Sequence, residues 1–329
     1  AVAATAVAGA ATAPTIALLF PRTDRRRLLV GLLAGATVSD LAVALTPSFA
    51  VLLTARLLLG MAIAGYWSFA FGAGTSARPG RDHVVSAALA TGVSAATVAG
   101  VPLAAVVGDA VDWRMVVLGA AALSALSTAA VAALLPSIAP HPAAGLAMLR
   151  GALRSRRLMA GIAGVVLVVF GNFAAYPYIR IAIGDVATAR TSWLLPAWGL
   201  AGLVGNLVAG AVSVRLRPAT AGAPVLLGVG LALTASVTTS WLLGVGIIVW
   251  GFAFNMVPVL TQLWVTRVEP HRAESALALQ VTAFQQAITL GAGVGGAIVD
   301  AYDVRGALVV GAICAAASGI GFAVLRPTR

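Results

Sequence analysis

Lysine is absent from the 329 residues, cysteine occurs once, and charged side chains of all kinds make up only 9% of the chain. A soluble globular domain carries roughly 25% charged residues. A larger core cannot absorb that shortfall, because a soluble protein of this size still needs a wet, polar surface. The lone Cys314 rules out a disulfide framework or a cysteine metal site. Three histidines, His83, His141 and His271, have no metal-like spacing, and no G-x-S-x-G, H-E-x-x-H or P-loop occurs. No cofactor or metal is therefore expected. What the chain has in excess is apolar residues, at 60%, with a mean hydropathy of +1.01. Its solvent is expected to be lipid.

The net charge of +11 raises the question of nucleic-acid binding. The arginines, however, fall in short tracts between apolar runs and form no basic face interleaved with aromatics, so no nucleic-acid partner is expected. A membrane span needs about 20 mostly apolar residues. Runs of that kind predict eleven spans, at 1–20, 28–47, 50–74, 84–108, 114–135, 158–180, 191–214, 222–240, 241–265, 275–299 and 306–325. The first run lacks a preceding Met or basic segment and does not read as a secretory signal.

If successive loops alternate sides, the arginines sort unevenly. One side holds Arg22, Arg25, Arg26, Arg27, Arg78, Arg81, Arg150, Arg154, Arg156, Arg157, Arg215, Arg217, Arg267, Arg272, Arg326 and Arg329. The other holds Arg114, Arg180, Arg190 and Arg305, and Arg56 lies inside a span. Positive charge marks the cytoplasmic side. The expectation is an external N-terminus and a cytoplasmic C-terminus. An odd number of spans in that orientation points to something missing.

An internal repeat agrees. Residues 107–120, VGDAVDWRMVVLGA, resemble residues 299–312, VDAYDVRGALVVGA. The shared D-A-x-D-x-R aligns Asp109, Asp112 and Arg114 with Asp300, Asp303 and Arg305. Both copies follow a span running outward, as in parallel repeats related by an axis along the membrane normal. The expected fold is all-α: two pseudo-symmetric helical bundles, 1–136 with five spans and 158–329 with six, joined by a cytoplasmic linker at 137–157. Shifting the span at 158–180 back by the repeat offset lands before residue 1, so the first helix of a twelve-helix plan is expected to be absent from this chain.

Several stretches resemble the major facilitator superfamily, within it most closely the bacterial drug:proton antiporters of the arabinose-efflux-permease type. PRTDRRRLL (21–29) resembles the family's cytoplasmic basic loop, with Arg22, Arg25, Arg26 and Arg27, but Pro21 and Asp24 stand where that loop usually has an acid and a glycine. LLTARLLLG (52–60) is similar to the helix-four motif. TGVSAATVAGVPLAAVVG (91–108) resembles the antiporter-motif helix, keeping Gly92, Gly100 and Pro102, with Ala104 where glycine is usual. FGNFAAYPYIR (170–180) looks like the seventh helix, and GLVGNLVAG (202–210) like the eighth. The resemblance implies the major facilitator fold, secondary active transport, and a seventh helix lining the transport path.

The polar residues inside the spans are the candidate sites, because such groups are costly in a bilayer and usually face a cavity or the bundle interior. Asn172, Tyr176 and Arg180 are spaced i, i+4 and i+8, on one helix face, with Pro177 interrupting the hydrogen-bond ladder between them. A transport-cavity face is one reading; an interfacial aromatic belt, with Arg180 snorkelling, is the other. Asn255 and Gln262, flanking Pro258, repeat the pattern, and Thr282, Gln286 and Thr289 form a weaker stripe that could equally hold helices together. Asp40 and Arg56 are each eight residues from Ser48 in the turn between two spans, hence about 12 Å deep on both sides of it. A carboxylate buried alone tends to take up a proton, whereas a nearby Arg holds it charged. The pair reads either as a structural ion pair or as a proton-coupling site. GAGVGG (291–296) matches a dinucleotide fingerprint only as letters. It lies inside a span with no preceding strand and reads as helix packing by small residues.

The expected function is proton-coupled efflux of small molecules, drug-, sugar- or nucleoside-like, by a monomer in the bacterial cytoplasmic membrane, with substrate, protons and the lipid bilayer as partners. A truncated, non-transporting fragment and a membrane-embedded enzyme are the alternatives.

Overall fold

The computed structural model describes residues 5, 8, 9, 11, 12, 15, 16, 19–140, 146–184, 193–236 and 239–325, with the backbone alone at twelve positions within 83–109 and at 146–147. Much of the expected span 1–20, Arg190, Arg326, Arg329 and His141, and the side chains of His83, Pro102 and Asp109, lie outside the described residues. The described residues contain no strand. In chain order the helices are α1 (Arg25–Leu45), α2 (Phe49–Ala77), α3 (Asp82–Ala95), α4 (Val101–Ala110), α5 (Trp113–Leu134), α6 (Leu146–Arg154), α7 (Arg156–Ala175), α8 (Ile179–Gly184), α9 (Leu194–Val212), α10 (Leu216–Ser236), α11 (Ser240–Val268), α12 (Ala273–Ala301) and α13 (Val304–Val324).

Eight helical segments among the described residues are long and apolar enough to cross a membrane. Three features separate that number from the expected eleven. The first run is only partly described. The stretch expected at 84–108 is broken by a π-helical turn at Ala96–Gly100 into α3 and α4, each too short alone. The spans expected at 191–214 and 222–240 form one continuous 43-residue segment, Leu194–Ser236. The surroundings these helices need are plain from α5, which is strongly apolar yet buries only Ala121. Leu123, Leu126 and Leu134 on it are 67%, 67% and 82% exposed. Such a helix is stable only where its outer face meets hydrocarbon.

The fold resolves into two compact units. The first comprises Ala1–Val85, Ala99–Arg154 and His271–Gln285; the second Ser86–Val98, Ser155–Pro270 and Gln286–Arg329. In the first unit α1 packs on α2 and α5 around Ile16, Leu28, Leu29, Phe69 and Ala73. The Ser39 hydroxyl donates to the Ala55 carbonyl at 2.6 Å, pinning α1 to α2. Asp24 is the N-cap of α1, accepting from the Arg27 amide at 3.1 Å, while its other oxygen accepts from the Ser137 hydroxyl at 2.5 Å. Partial burial pushes this carboxyl up, but the Ser137 hydroxyl and the backbone amides of Arg27, Arg26 and Ile138 outweigh it, so it sits below its ordinary range. Asp24, standing where the family motif has a glycine, thus ties the segment after α5 to the start of α1.

In the second unit α7 packs on α13, α13 on α10, and α11 on both α9 and α10. Without a hydrophobic force between helices in lipid, close packing depends on small residues and on hydroxyls donating across the interface. The Ser318 hydroxyl donates to the Gly164 carbonyl at 2.7 Å. A Cβ at Gly205 would lie 2.1 Å from the Phe252 carbonyl oxygen, and one at Gly251 would lie 2.3 Å from that of Trp198. These two glycines set how closely α9 and α11 approach. Gly205→Val is therefore expected to force the pair apart and to destabilise at the upper end of the roughly 1–3 kcal/mol of overpacking. Gly31→Ala, with nothing within 4 Å of the added methyl, is expected to be neutral or slightly stabilising. Thermal unfolding in detergent compares the two. In GAGVGG, Gly291 and Gly295 face the Phe170 and Ala174 carbonyl oxygens, so that motif is helix packing.

Both copies of the D-x-R repeat place an aspartate at the N-cap of the following helix. Asp112 caps α5 by accepting from the Arg114 amide at 3.0 Å, and Asp303 caps α13 by accepting from the Gly306 amide at 2.8 Å. Each carboxylate satisfies one of the orphan amides at a helix start.

Candidate functional site

Within the second unit, α7, α9 and α11 bring an amide and a set of aromatic rings together. Asn172 on α7 is wholly buried, and its Oδ1 accepts from the Trp250 indole N–H at 2.7 Å. That bond fixes the amide orientation, since only the oxygen can accept from an indole donor. The Asn172 Nδ2 is then left without a partner among the described residues, as is the Nε1 of buried Trp198. The Tyr176 ring lies 4.8 Å from that of Trp198, 6.5 Å from that of Trp250 and 5.9 Å from that of Phe173. Phe173 in turn meets Phe254 edge-on at 5.8 Å. A third unpaired buried donor, Trp264 Nε1, belongs to a separate contact with Phe322.

Local chain chemistry explains the placement. Pro177 has no N–H to give the carbonyl of Phe173, and α7 closes there in a 3-10 turn, Tyr176–Tyr178, before α8 resumes. The turn also interrupts the face expected to run from Asn172 to Arg180. Asn172 is buried and Tyr176 half-buried in the cluster, whereas Arg180 is exposed. The glycines flanking the tryptophans allow the approach, with Gly251 against the Trp198 backbone and Gly230 against that of Trp250. An unpaired buried N–H costs about 1–3 kcal/mol, so two in one aromatic cluster are an arrangement that an acceptor-bearing guest would relieve.

The other candidates are dispersed. Asn255 is half-buried, donates to the Gly251 carbonyl at 2.9 Å and packs over Gly202; Gln262 is half-buried a little further along α11. Gly92 on α3 and Gly100 in the π turn are exposed, with open space about them, and Pro102 lies in the first turn of α4. A π turn inside an otherwise α-helical run is often a functional feature. In the first unit Asp40 is 7% exposed and Arg56 half-buried. Arg56 is near enough to act on Asp40 electrostatically, but no ion pair joins them. The structural ion pair is therefore not made, because the two side chains do not close to contact across the α1–α2 interface.

The buried ion pair of the first unit is a different one. Arg25, 2% exposed, donates from Nε to Glu274 Oε1 at 3.0 Å and from Nη2 to Oε2 at 2.6 Å. Its Nη1 donates to the carbonyls of Phe20 at 3.2 Å and Thr23 at 3.4 Å, and the guanidinium sits 4.8 Å from the centre of the Phe69 ring. This bidentate fork links the start of α1 to the first turn of α12. Arg26 donates to the Ala132 carbonyl, whereas Arg22 and Arg27 are exposed and make no comparable clamp. Arg25 was legible as part of the basic loop. Glu274, 249 residues away, was not, and neither were Trp198 and Trp250 as members of the Asn172 cluster.

Helices long and apolar enough to cross a bilayer, small-residue interfaces and buried polar groups within the spans define a multi-pass helical membrane protein. Residues 1–291 match the model of the Major Facilitator Superfamily, and the chain belongs to that family of secondary transporters. It is 32% identical over 305 residues to the purine ribonucleoside efflux pump NepI of Salmonella paratyphi B, an alignment covering 90% of this chain and 76% of the relative. The NepI of Escherichia coli O1:K1 is 33% identical over 290 residues, 84% of this chain and 72% of the relative. Among solved structures, the human organic anion transporter MFSD10 (TETRAN) superposes with a TM-score of 0.80 at 17% identity, covering 98% of this chain and 82% of that one. The last likeness establishes the fold alone.

Proposed function

We propose that the protein exports small, uncharged, ring-bearing solutes of the purine ribonucleoside type across the bacterial cytoplasmic membrane in exchange for protons. The observation that carries this reading is the pair of unpaired donors, Asn172 Nδ2 and Trp198 Nε1, in the aromatic cluster around the Tyr176 ring. A purine presents a flat face for stacking and ring nitrogens that accept hydrogen bonds, and it carries no charge needing a counter-ion. The similarity to two nucleoside efflux pumps supports the same class. In this reading the halves 1–136 and 158–329 alternate access, the C-terminus is cytoplasmic, and Asp40 with Arg56 couples the cycle to protons. Gly92, Gly100 and Pro102 shape the antiporter-motif helix, while Asn255 and Gln262 extend the path along α11.

Trp198→Phe tests the carrying observation. It keeps a ring beside Tyr176 and removes a buried donor that has no partner in the empty protein. The thermal midpoint is therefore expected to hold or rise, while the transport KM for a purine ribonucleoside rises about three- to tenfold, the worth of one neutral hydrogen bond. A variant with unchanged KM would place the substrate elsewhere.

A further inference from the structure

The helices α9 and α10 both pack closely on α11 but scarcely on one another. A groove of about 590 Å³ runs along α10, lined by Pro218, Gly222 and Val229 of that helix, by Phe252 and Met256 of α11 and, from α9, by its last residue Val212. Gly222 leaves open space where a side chain would otherwise fill the wall. At the end of the groove stands Arg215, in the 3-10 turn joining α9 to α10. It is exposed and makes no hydrogen bond or ion pair among the described residues.

The dimensions match half a bilayer. Pro218 and Val229 are eleven residues apart on one helix, about 16 Å at 1.5 Å per residue. One leaflet of hydrocarbon is about 15 Å thick, half of the ~30 Å core. The lining is apolar along that length, and the single cation sits at its end, where a headgroup phosphate would lie. Basic pockets between spans are recognised sites for anionic headgroups. We propose that this groove is a binding site for one anionic phospholipid of the surrounding bilayer, with Arg215 on the phosphate and an acyl chain laid over Phe252 and Met256. A zwitterionic lipid offers the same chain but a headgroup whose own cation competes with Arg215 for the phosphate, so the site discriminates by charge. It requires only that the chain spans a membrane and is independent of what the transporter exports.

The test is native mass spectrometry of the intact protein in detergent, titrated with dioleoyl phosphatidylglycerol or dioleoyl phosphatidylcholine. The wild type is expected to hold one phosphatidylglycerol about fivefold more tightly than one phosphatidylcholine. Arg215→Gln should abolish that preference and Arg215→Lys should keep most of it. Gly222→Trp, which fills the groove and leaves the charge, should weaken the first adduct of both lipids. Exposed Arg81→Gln should change nothing. Thermal midpoints of the variants within a few degrees of wild type exclude misfolding as the cause. Equal affinity for the two lipids, a preference that survives Arg215→Gln, or a first adduct indifferent to Gly222→Trp would each overturn the site. So would a dimer that Gly222→Trp dissociates, since a second copy would then be the occupant.

Discussion

Glu274→Ala is expected to lower the thermal midpoint of the purified protein by on the order of 10 °C and to cut its folded yield. Arg25 is almost wholly buried and its fork is matched on both carboxylate oxygens. Removing one partner leaves an uncompensated charge beside Phe69, and breaking a buried pair in this way costs about 3–5 kcal/mol. The two carbonyl contacts from Nη1 remain and soften the loss, but they are neutral acceptors. Arg25→Met with Glu274→Leu removes both charges together and is expected to recover most of the midpoint, since the cost lies in the orphaned charge and not in the absence of the pair. If Glu274→Ala unfolds at the wild-type temperature, Arg25 finds water or another acceptor and the clamp does not hold α1 to α12.

Asp40→Asn is expected to abolish export driven by a proton gradient while leaving substrate exchange intact. Asp40 is buried on α1 and has no ion-pair partner, although Arg56 lies within electrostatic reach. A buried carboxylate free of a fixed partner can gain and lose a proton at modest cost, which a locked ion pair cannot. Asparagine preserves its shape and removes the titration. Counterflow of labelled against unlabelled substrate should therefore persist, because it needs no net proton movement. A variant that still drives substrate uphill at the wild-type rate would reduce Asp40 to a packing residue.

Much of the helical plan was legible because apolar run length and loop arginines report directly on a bilayer. The helices follow the runs to within a few residues wherever the structure describes them, and the D-x-R repeat was legible as a repeat, whereas its capping role, with Asp112 and Asp303 both at helix starts, came from the structure. Breaks within runs were harder. A π turn at 96–100 has no composition of its own, and the join of α9 to α10 through Ser213–Arg215 keeps helical continuity across a polar stretch that reads as a loop. In FGNFAAYPYIR the proline fixed the position of the interruption, but the i, i+4, i+8 face assumed a regular helix through it. The 3-10 turn rotates Arg180 out of the cluster that holds Asn172 and Tyr176.

Long-range pairing was not legible at all. Nothing local singles out Glu274 among the acids as the partner of Arg25. Trp198 and Trp250 sit in runs so apolar that another large ring raises no signal; only the unpaired Trp198 donor and the Trp250–Asn172 bond mark them.

Transport into inside-out membrane vesicles with an acidic lumen tests proton-coupled export most directly. A radiolabelled purine ribonucleoside is expected to accumulate in the lumen above its external concentration, and a protonophore added at the plateau should release it. Accumulation that ignores the protonophore, or entry no greater than in vesicles lacking the protein, would contradict proton-coupled nucleoside export.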